Sequence, residues 1–286
     1  MPKTTIQDLM NVNNNKPKTF WTPKENVNYS VRIIDTTASK YEQDWIQKVI
    51  QHFIFKKNYI CPATKGEKCP VCEEGLKLYL KYDSHRITKE ESDLFAVIKR
   101  SKRYLIQILV REEWELFKKK YPVLPKERPP FDENPVKLFF ISQSFLDKII
   151  FWASPKESKG RGLGEFWNIE KGRDIELIKQ KTESKQGSMN LSTFNNSIYS
   201  DEITPLASTI EEIEYILNTL CYPWEEIIKI TPPEKMAEVL KSAKEIIQNG
   251  ESDDTVEEEK EYNKKNEEIE NDEDNEIEKM LKDLKK

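Results

Sequence analysis

The chain of 286 residues is short of the side chains that most enzyme classes rely on. It has 2 histidines, 8 glycines and 4 cysteines. With only His52 and His85, a histidine triad or a histidine general base is hard to staff. No G-x-G-x-x-G or G-x-x-x-x-G-K-[ST] run occurs, so phosphate-cradling nucleotide folds lose support. Carboxylates are abundant, but no spacing singles out a catalytic pair. These gaps argue for a protein that is not an enzyme. No apolar run approaches the ~18 residues of a membrane helix. The first residues, MPKTTIQDLMNVNNNKPK, hold no apolar signal-peptide core. A reducing compartment is therefore expected, where clustered cysteines read as metal ligands and not as a disulfide framework.

Charge is present in quantity and is unevenly placed. The formal net charge is −5. Residues 251–286 carry 16 acidic and 7 basic side chains, a net of −9, and residues 201–250 a net of −6. Residues 1–200 carry 35 basic and 25 acidic side chains, a net of +10. A basic body suggests a polyanionic partner. An acidic tail can compete with that partner or recruit basic proteins; the plainer alternative is that it only solubilises.

Hydrophobic periodicity divides the chain as follows. Residues 1–20 read as a polar arm. Residues 27–34 alternate as a strand, and 45–60 as a hairpin or two short strands. Residues 61–75 read as loop, and 76–98 as two short helices. Residues 102–111 form a strand apolar on both faces, hence central. The stretch 112–121 is helix-like or extends that strand. Residues 122–135 hold five prolines and form an irregular connection. Then follow a strand at 136–141, a helix at 143–153, a glycine-containing loop at 159–164, a strand at 172–181 and polar loop at 182–200. Residues 209–248 are helical, and Pro232-Pro233 sit at a helix start. The acidic segment 251–286 is expected to be disordered. Its end keeps Ile277, Met280, Leu281 and Leu284 at helical spacing, a plausible docking peptide. This order predicts an α+β fold with a β-barrel-like body.

His52, Cys61, Cys69 and Cys72 give H-x8-C-x7-C-x2-C. One imidazole and three thiolates suit a closed, tetrahedral, structural Zn²⁺ site, with no position left for a reactive water. His85 competes with His52 as fourth ligand; a redox or unliganded CxxC is the other alternative. Cys221 reads as a buried apolar thiol.

The run Lys99-Arg100-Ser101-Lys102-Arg103-Tyr104 sets four cations beside a ring, and Arg111 follows. Trp21, Tyr79, Tyr82, Phe95, Tyr104, Phe194 and Tyr199 lie among polar neighbours. Cations for phosphates, interleaved with rings for bases, are what single-strand binding requires. The alternative is that the rings are core and the lysines a solvated face.

The ordered series Phe20-Trp21, VRII at 31–34, HFIFKKNYIC at 52–61, CPVC at 69–72, KRSKRYLIQILV at 99–110, DIELI at 174–178 and FNNSIYSDEITPL at 194–206 resembles the T4-type bacteriophage single-stranded DNA-binding proteins, the helix-destabilising proteins of phage replication. The resemblance covers most of the chain. It implies an OB-fold-like core at 21–205 with a zinc subdomain at about 45–100, a helical C-terminal part of that core at 206–250, a self-association arm at 1–20 and an acidic tail at 251–286. It implies cooperative, sequence-tolerant binding of single-stranded DNA in phage replication, recombination and repair, in the cytoplasm of an infected bacterial host. The tail would recruit replication and recombination proteins. One Zn²⁺ would be held by His52, Cys61, Cys69 and Cys72. DNA would be held by Phe95, Lys99, Arg100, Lys102, Arg103, Tyr104, Phe194 and Tyr199, with Arg111 from the basic run. A scaffold or transcription accessory protein that grips duplex DNA or RNA is the competing expectation.

Overall fold

The computed structural model describes residues 20–55, 57–158, 160–183, 190–194 and 196–248. The expectations for the arm at 1–20, apart from Phe20, and for the tail at 251–286 fall outside those residues. The described chain is a mixed α+β fold with a mostly antiparallel, open sheet. It divides into two compact units: residues 48–103 with 228–248, and residues 20–47 with 104–227.

The second unit is built on strands β1 (Asn28–Ile33), β4 (Arg100–Val110, from Tyr104 on), β5 (Val136–Ile141), β6 (Arg173–Ile178) and β9 (Ile198–Ile203). They lie antiparallel in the order β5-β4-β1-β6-β9. No ladder joins β5 to β9 among the described residues. The sheet is therefore open where a barrel was expected. Helix α4 (Gln143–Ala153) supplies what a closed barrel would supply, a cover for the apolar face. Its stripe Phe145, Leu146, Ile149 and Trp152 shares one core cluster with Val31, Ile33, Ile106, Ile108 and Phe139. A separate hairpin pairs β7 (Gln180–Glu183) with β8 (Asn190–Thr193). The segment read as polar loop at 182–200 thus contains strand, including the start of β9.

Residues Leu105–Val110 of β4 are all buried, as a central strand should be. Gln107 lies among them without cost, because its amide acts as a peptide would. Its Nε2 donates to Tyr222 O at 2.7 Å and its Oε1 accepts from Tyr222 N at 2.8 Å. Helix α3 (Arg111–Lys120) follows β4 directly. Helix α4 ends against a loop that returns its carbonyls' missing donors: Arg161 N donates to Phe151 O, Gly162 N to Ser154 O and Leu163 N to Trp152 O. A Cβ on Gly160 would lie 2.2 Å from Ser154 O, so only glycine passes there. Helix α5 (Ile210–Tyr215) runs on as a π-helical stretch, Ile216–Leu220.

The first unit holds the hairpin β2 (Ile46–Ile54, from Lys48 on) and β3 (Lys57–Ile60), helices α1 (Pro70–Asp83) and α2 (Lys89–Ile98), and helix α6 (Pro233–Gln248). Helix α1 begins at Pro70, inside the stretch expected to be loop. Proline is favoured at the first helical position because its missing N–H is not needed there. A capping box starts α2: Thr88 Oγ1 accepts from Glu91 N and the Glu91 carboxylate accepts from Thr88 N. The core joins Ile54, Val71, Leu78, Leu94, Val97 and Ile98 to Met236, Ala243 and Ile247 of α6. The last helix is thus part of this unit's core.

Candidate metal centre and nucleic-acid interface

Three short structures deliver the four ligands. His52 comes from β2, opposite Tyr59 of β3. Cys61 follows β3 and its N–H donates to Ile50 O at 2.8 Å. It also starts a tight turn, Pro62–Lys65, that Gly66 ends in the left-handed region at φ 78°. Thr64 fastens that turn to β2: its Oγ1 accepts from Ile50 N at 3.0 Å and donates to Ile50 O at 3.2 Å. Cys69 precedes the first residue of α1, and Cys72 stands in its first turn. A helix N-terminus favours thiolate through its unpaired N–H groups.

The four ligand atoms lie within 4.8 Å of one another. Cys72 Sγ is 3.3 Å and Cys69 Sγ 3.7 Å from His52 Nε2, and Cys61 Sγ is 3.5 Å from Cys72 Sγ. Zinc–ligand bonds of about 2.0–2.3 Å set tetrahedral ligand separations of roughly 3.4–3.8 Å. The residues therefore fit one metal ion with a closed shell. The surroundings fit as well: Ala63 N–H points to Cys61 Sγ at 3.4 Å, and His52 Nδ1–H donates to Ile98 O at 3.0 Å, which directs Nε2 at the thiols. His52, Cys61 and Cys69 are buried, and Cys72 is partly so. His85 is exposed and lies outside the group, with Nδ1 against Asp83 O.

Without an ion the cluster shares protons unevenly. Hydrogen bonding to Cys69 and Cys72, then burial, pushes the Cys61 thiol up. Hydrogen bonds from Cys61 and Cys72 hold Cys69 well below the usual thiol range. Burial pushes His52 down, but contacts with Cys69 and Cys72 outweigh it and raise the imidazole to about 9. Cys221 stands apart in the second unit, where burial pushes its thiol up to about 12.

The residues expected at a nucleic-acid surface separate into two groups. In the first unit, Phe95 of α2 meets two rings of α1: Tyr82 at 6.1 Å and Tyr79 at 6.3 Å between centroids. Tyr79 and Tyr82 are 50% and 56% exposed, enough to leave a face open for stacking. One turn after Phe95, Lys99 caps α2, and Arg100 and Lys102 open β4 as exposed residues on the same side of the strand. Arg103 points to the other side and is half-buried.

In the second unit the expected contacts are engaged in the fold. The Arg111 guanidinium donates to both Asp174 oxygens at 3.0 and 2.9 Å and to the carbonyls of Leu206 and Pro205. That pairing commits it to the fold and removes it from the candidate surface. Phe194 packs edge-on to Phe139 at 5.3 Å, and Tyr199 edge-on to Trp152 at 5.3 Å. Tyr104 packs on the same core, and its hydroxyl donates to Gln143. Trp21 does likewise, 5.6 Å from Phe139. For these four rings the core alternative describes the observed packing.

No protein-family model matches the chain, and no curated protein matches it either.

Proposed function

We propose that the protein binds single-stranded nucleic acid, DNA foremost, through its first unit, and does so without catalysis. The observation that carries this reading is the ring cluster Tyr79–Tyr82–Phe95, set on helices that the His52–Cys61–Cys69–Cys72 group organises and followed directly by Lys99, Arg100 and Lys102. Bases would stack on the open faces of the tyrosines, at about 1–3 kcal/mol per base and with little sequence preference. Phosphates would lie along Arg100 and Lys102, releasing counterions as they are neutralised. The ion that best suits the donor set is one structural Zn²⁺. Bound there it would brace the lobe that carries the rings, and its four protein ligands leave no place for a hydrolytic water.

The likeness to phage helix-destabilising proteins supports the same reading. It extends it to an OB-fold-related ancestry for the sheet, cooperative coating of the strand, work in replication, recombination and repair, and recruitment of phage proteins by the acidic tail inside an infected bacterium. Preference for the single strand over the duplex would lower the melting temperature of DNA by mass action.

The test is the anisotropy of a labelled oligo-dT and of a matched duplex, at low and high salt. All 6 tryptophans lie in the second unit, so the reporter is placed on the oligonucleotide. Salt-sensitive binding of the single strand, weakened by Tyr79→Ala and Tyr82→Ala, is expected. Equal or tighter binding of duplex would instead favour a scaffold or transcription accessory protein.

A further inference from the structure

The turn between α1 and α2 is closed at both ends. Arg86 N donates to Lys81 O at 2.9 Å and His85 N to Tyr82 O at 3.0 Å, the paired bonds of a Schellman helix end. The capping box at Thr88 then starts α2, and Glu91 of that box also pairs with Lys81 of α1. A Schellman end needs one residue in the left-handed region. Glycine is its ordinary occupant, because it has no Cβ to strain there. This chain places His85 at that point, with φ 58°. Histidine bears the conformation better than most residues, but not without cost.

Nothing the side chain touches within the fold offsets that cost. His85 is exposed and stands outside the cysteine group. Its one hydrogen bond joins Nδ1 to Asp83 O at 3.1 Å. A carbonyl only accepts, so the hydrogen is on Nδ1, the ring is held in one orientation, and Nε2 is left without a partner among the described residues. Arg86 is exposed beside it, and its guanidinium has no hydrogen bond or ion pair among the described residues. Lys81, by contrast, is committed to Glu91. The turn directly continues the helix that carries Tyr79 and Tyr82. It therefore adds one more ring and one unpaired cation to the end of that ring cluster, on a frame fixed by main-chain bonds.

We infer that the α1–α2 turn is a further nucleic-acid contact, in which the His85 ring stacks on a base and the Arg86 guanidinium pairs with a neighbouring phosphate. This rests on the proposed single-strand surface and extends it beyond Tyr82. Imidazole serves as a stacking face for an unpaired base as phenol does, and a free guanidinium takes a phosphate with two parallel bonds. A side chain kept in a costly backbone conformation, exposed and without a packing role, is what a contact residue at a fixed turn looks like.

Three variants of the full chain decide it, each titrated with labelled oligo-dT across a salt series and melted without nucleic acid. His85→Gly relaxes the left-handed turn and deletes the ring. It should melt a few degrees higher and bind oligo-dT at least about fivefold more weakly, the lower end of one stacked base. A residue that served only the helix end would give the rise in melting temperature without the loss of affinity, and that result overturns the stacking role. His85→Asn keeps a side chain suited to the left-handed region and removes the ring. It should bind as weakly as His85→Gly, melt like the unaltered protein and leave the salt slope unchanged. Arg86→Ala should lower the slope of log affinity against log salt by about 1. An unchanged slope overturns the phosphate contact. Tyr82→Ala, run alongside, separates this inference from the reading it rests on. Oligo-dT binding that Tyr82→Ala weakens and the His85 and Arg86 variants leave intact sinks the turn alone. An unaltered protein that binds no oligo-dT at any salt sinks the surface, and the turn with it.

Discussion

The two units solve the same problem of stability by different chemistry. The second unit closes a continuous apolar core between a sheet and α4, and on the other face of β1 and β6 it sets an ionic group: Arg32 and Arg111 both meet Asp174. The first unit has a smaller cluster drawn from three helices and a hairpin, and two of its core members are Cys61 and Cys69 of the candidate metal centre. An ion held there would add its binding energy to what burial in this smaller cluster supplies. Residues freed from core duty, Tyr79 and Tyr82 among them, are left on the surface. In the second unit, Phe194, Tyr199 and Tyr104 are spent on packing.

The comparison breaks most visibly if metal is withdrawn. A strong chelator, or Cys69→Ser, should unfold the first unit and leave the second standing, seen as loss of one of two calorimetric transitions. Apparent zinc-binding energies of about 10–16 kcal/mol in small metal-dependent folds set the scale. A single transition indifferent to chelator would remove the distinction. The pH dependence has a definite sign. In the ion-free site the contacts with Cys69 and Cys72 hold a proton on His52 up to about 9. An ion must displace that proton and those of the thiols, so uptake should release protons into weak buffer and affinity should rise with pH across the range below 9.

The mirror experiment strikes the second unit. Asp174 accepts both of Arg111's parallel hydrogen bonds and lies 3.5 Å from Arg32 Nε. Arg32 is fully buried, and desolvation, only partly offset by Asp174, lowers it to about 10. Asp174→Asn leaves two cations without their shared anion and should cost about 3–5 kcal/mol. Urea unfolding should show that loss in the transition that chelator does not move.

Smaller effects sharpen the division of labour. Tyr79→Ala, Tyr82→Ala and Phe95→Ala should each weaken oligo-dT binding by about 1–3 kcal/mol, with the two tyrosine variants keeping the melting profile. Arg100→Ala or Lys102→Ala should each reduce the slope of log affinity against log salt by about 1. Phe194→Ala and Tyr199→Ala should do the reverse, lowering stability and sparing the slope. The smallest expected change is Thr64→Val. It removes both hydrogen bonds between the cysteine turn and Ile50, worth about 1–2 kcal/mol, and should appear as faster metal loss to a competing chelator.

Much of this was readable from local signals. The three clustered cysteines follow from their spacing, which leaves His52 and His85 in competition for the fourth place, and a buried strand at 102–111 or an amphipathic helix at 143–153 follows from periodicity. What escaped is long-range or locally ambiguous. Helix α1 begins inside a Pro- and Gly-containing stretch whose composition reads as loop, although proline suits a helix's first position. Strand β9 sits at the sheet edge with Ile198 and Ile203 exposed, so no alternation marks it. Arg111 looks like one more cation of a basic run until Asp174, far along the chain, is brought to it. Whether a given aromatic is core or surface depends on the covering element, and α4 decides that for Phe194 and Tyr199.

The threading of the first unit carries a consequence for how the chain is made. Its ligands and two of its helices are synthesised early, yet Met236, Ala243 and Ile247, which complete their core, come only after the whole second unit. During translation the nascent lobe has its cysteines but lacks its closing helix. An ion captured at that stage would act as a provisional staple, holding β2, β3 and α1 in register until α6 emerges. On this account a cell starved of zinc during synthesis would accumulate chains whose second unit is sound and whose first unit is still waiting for its last part.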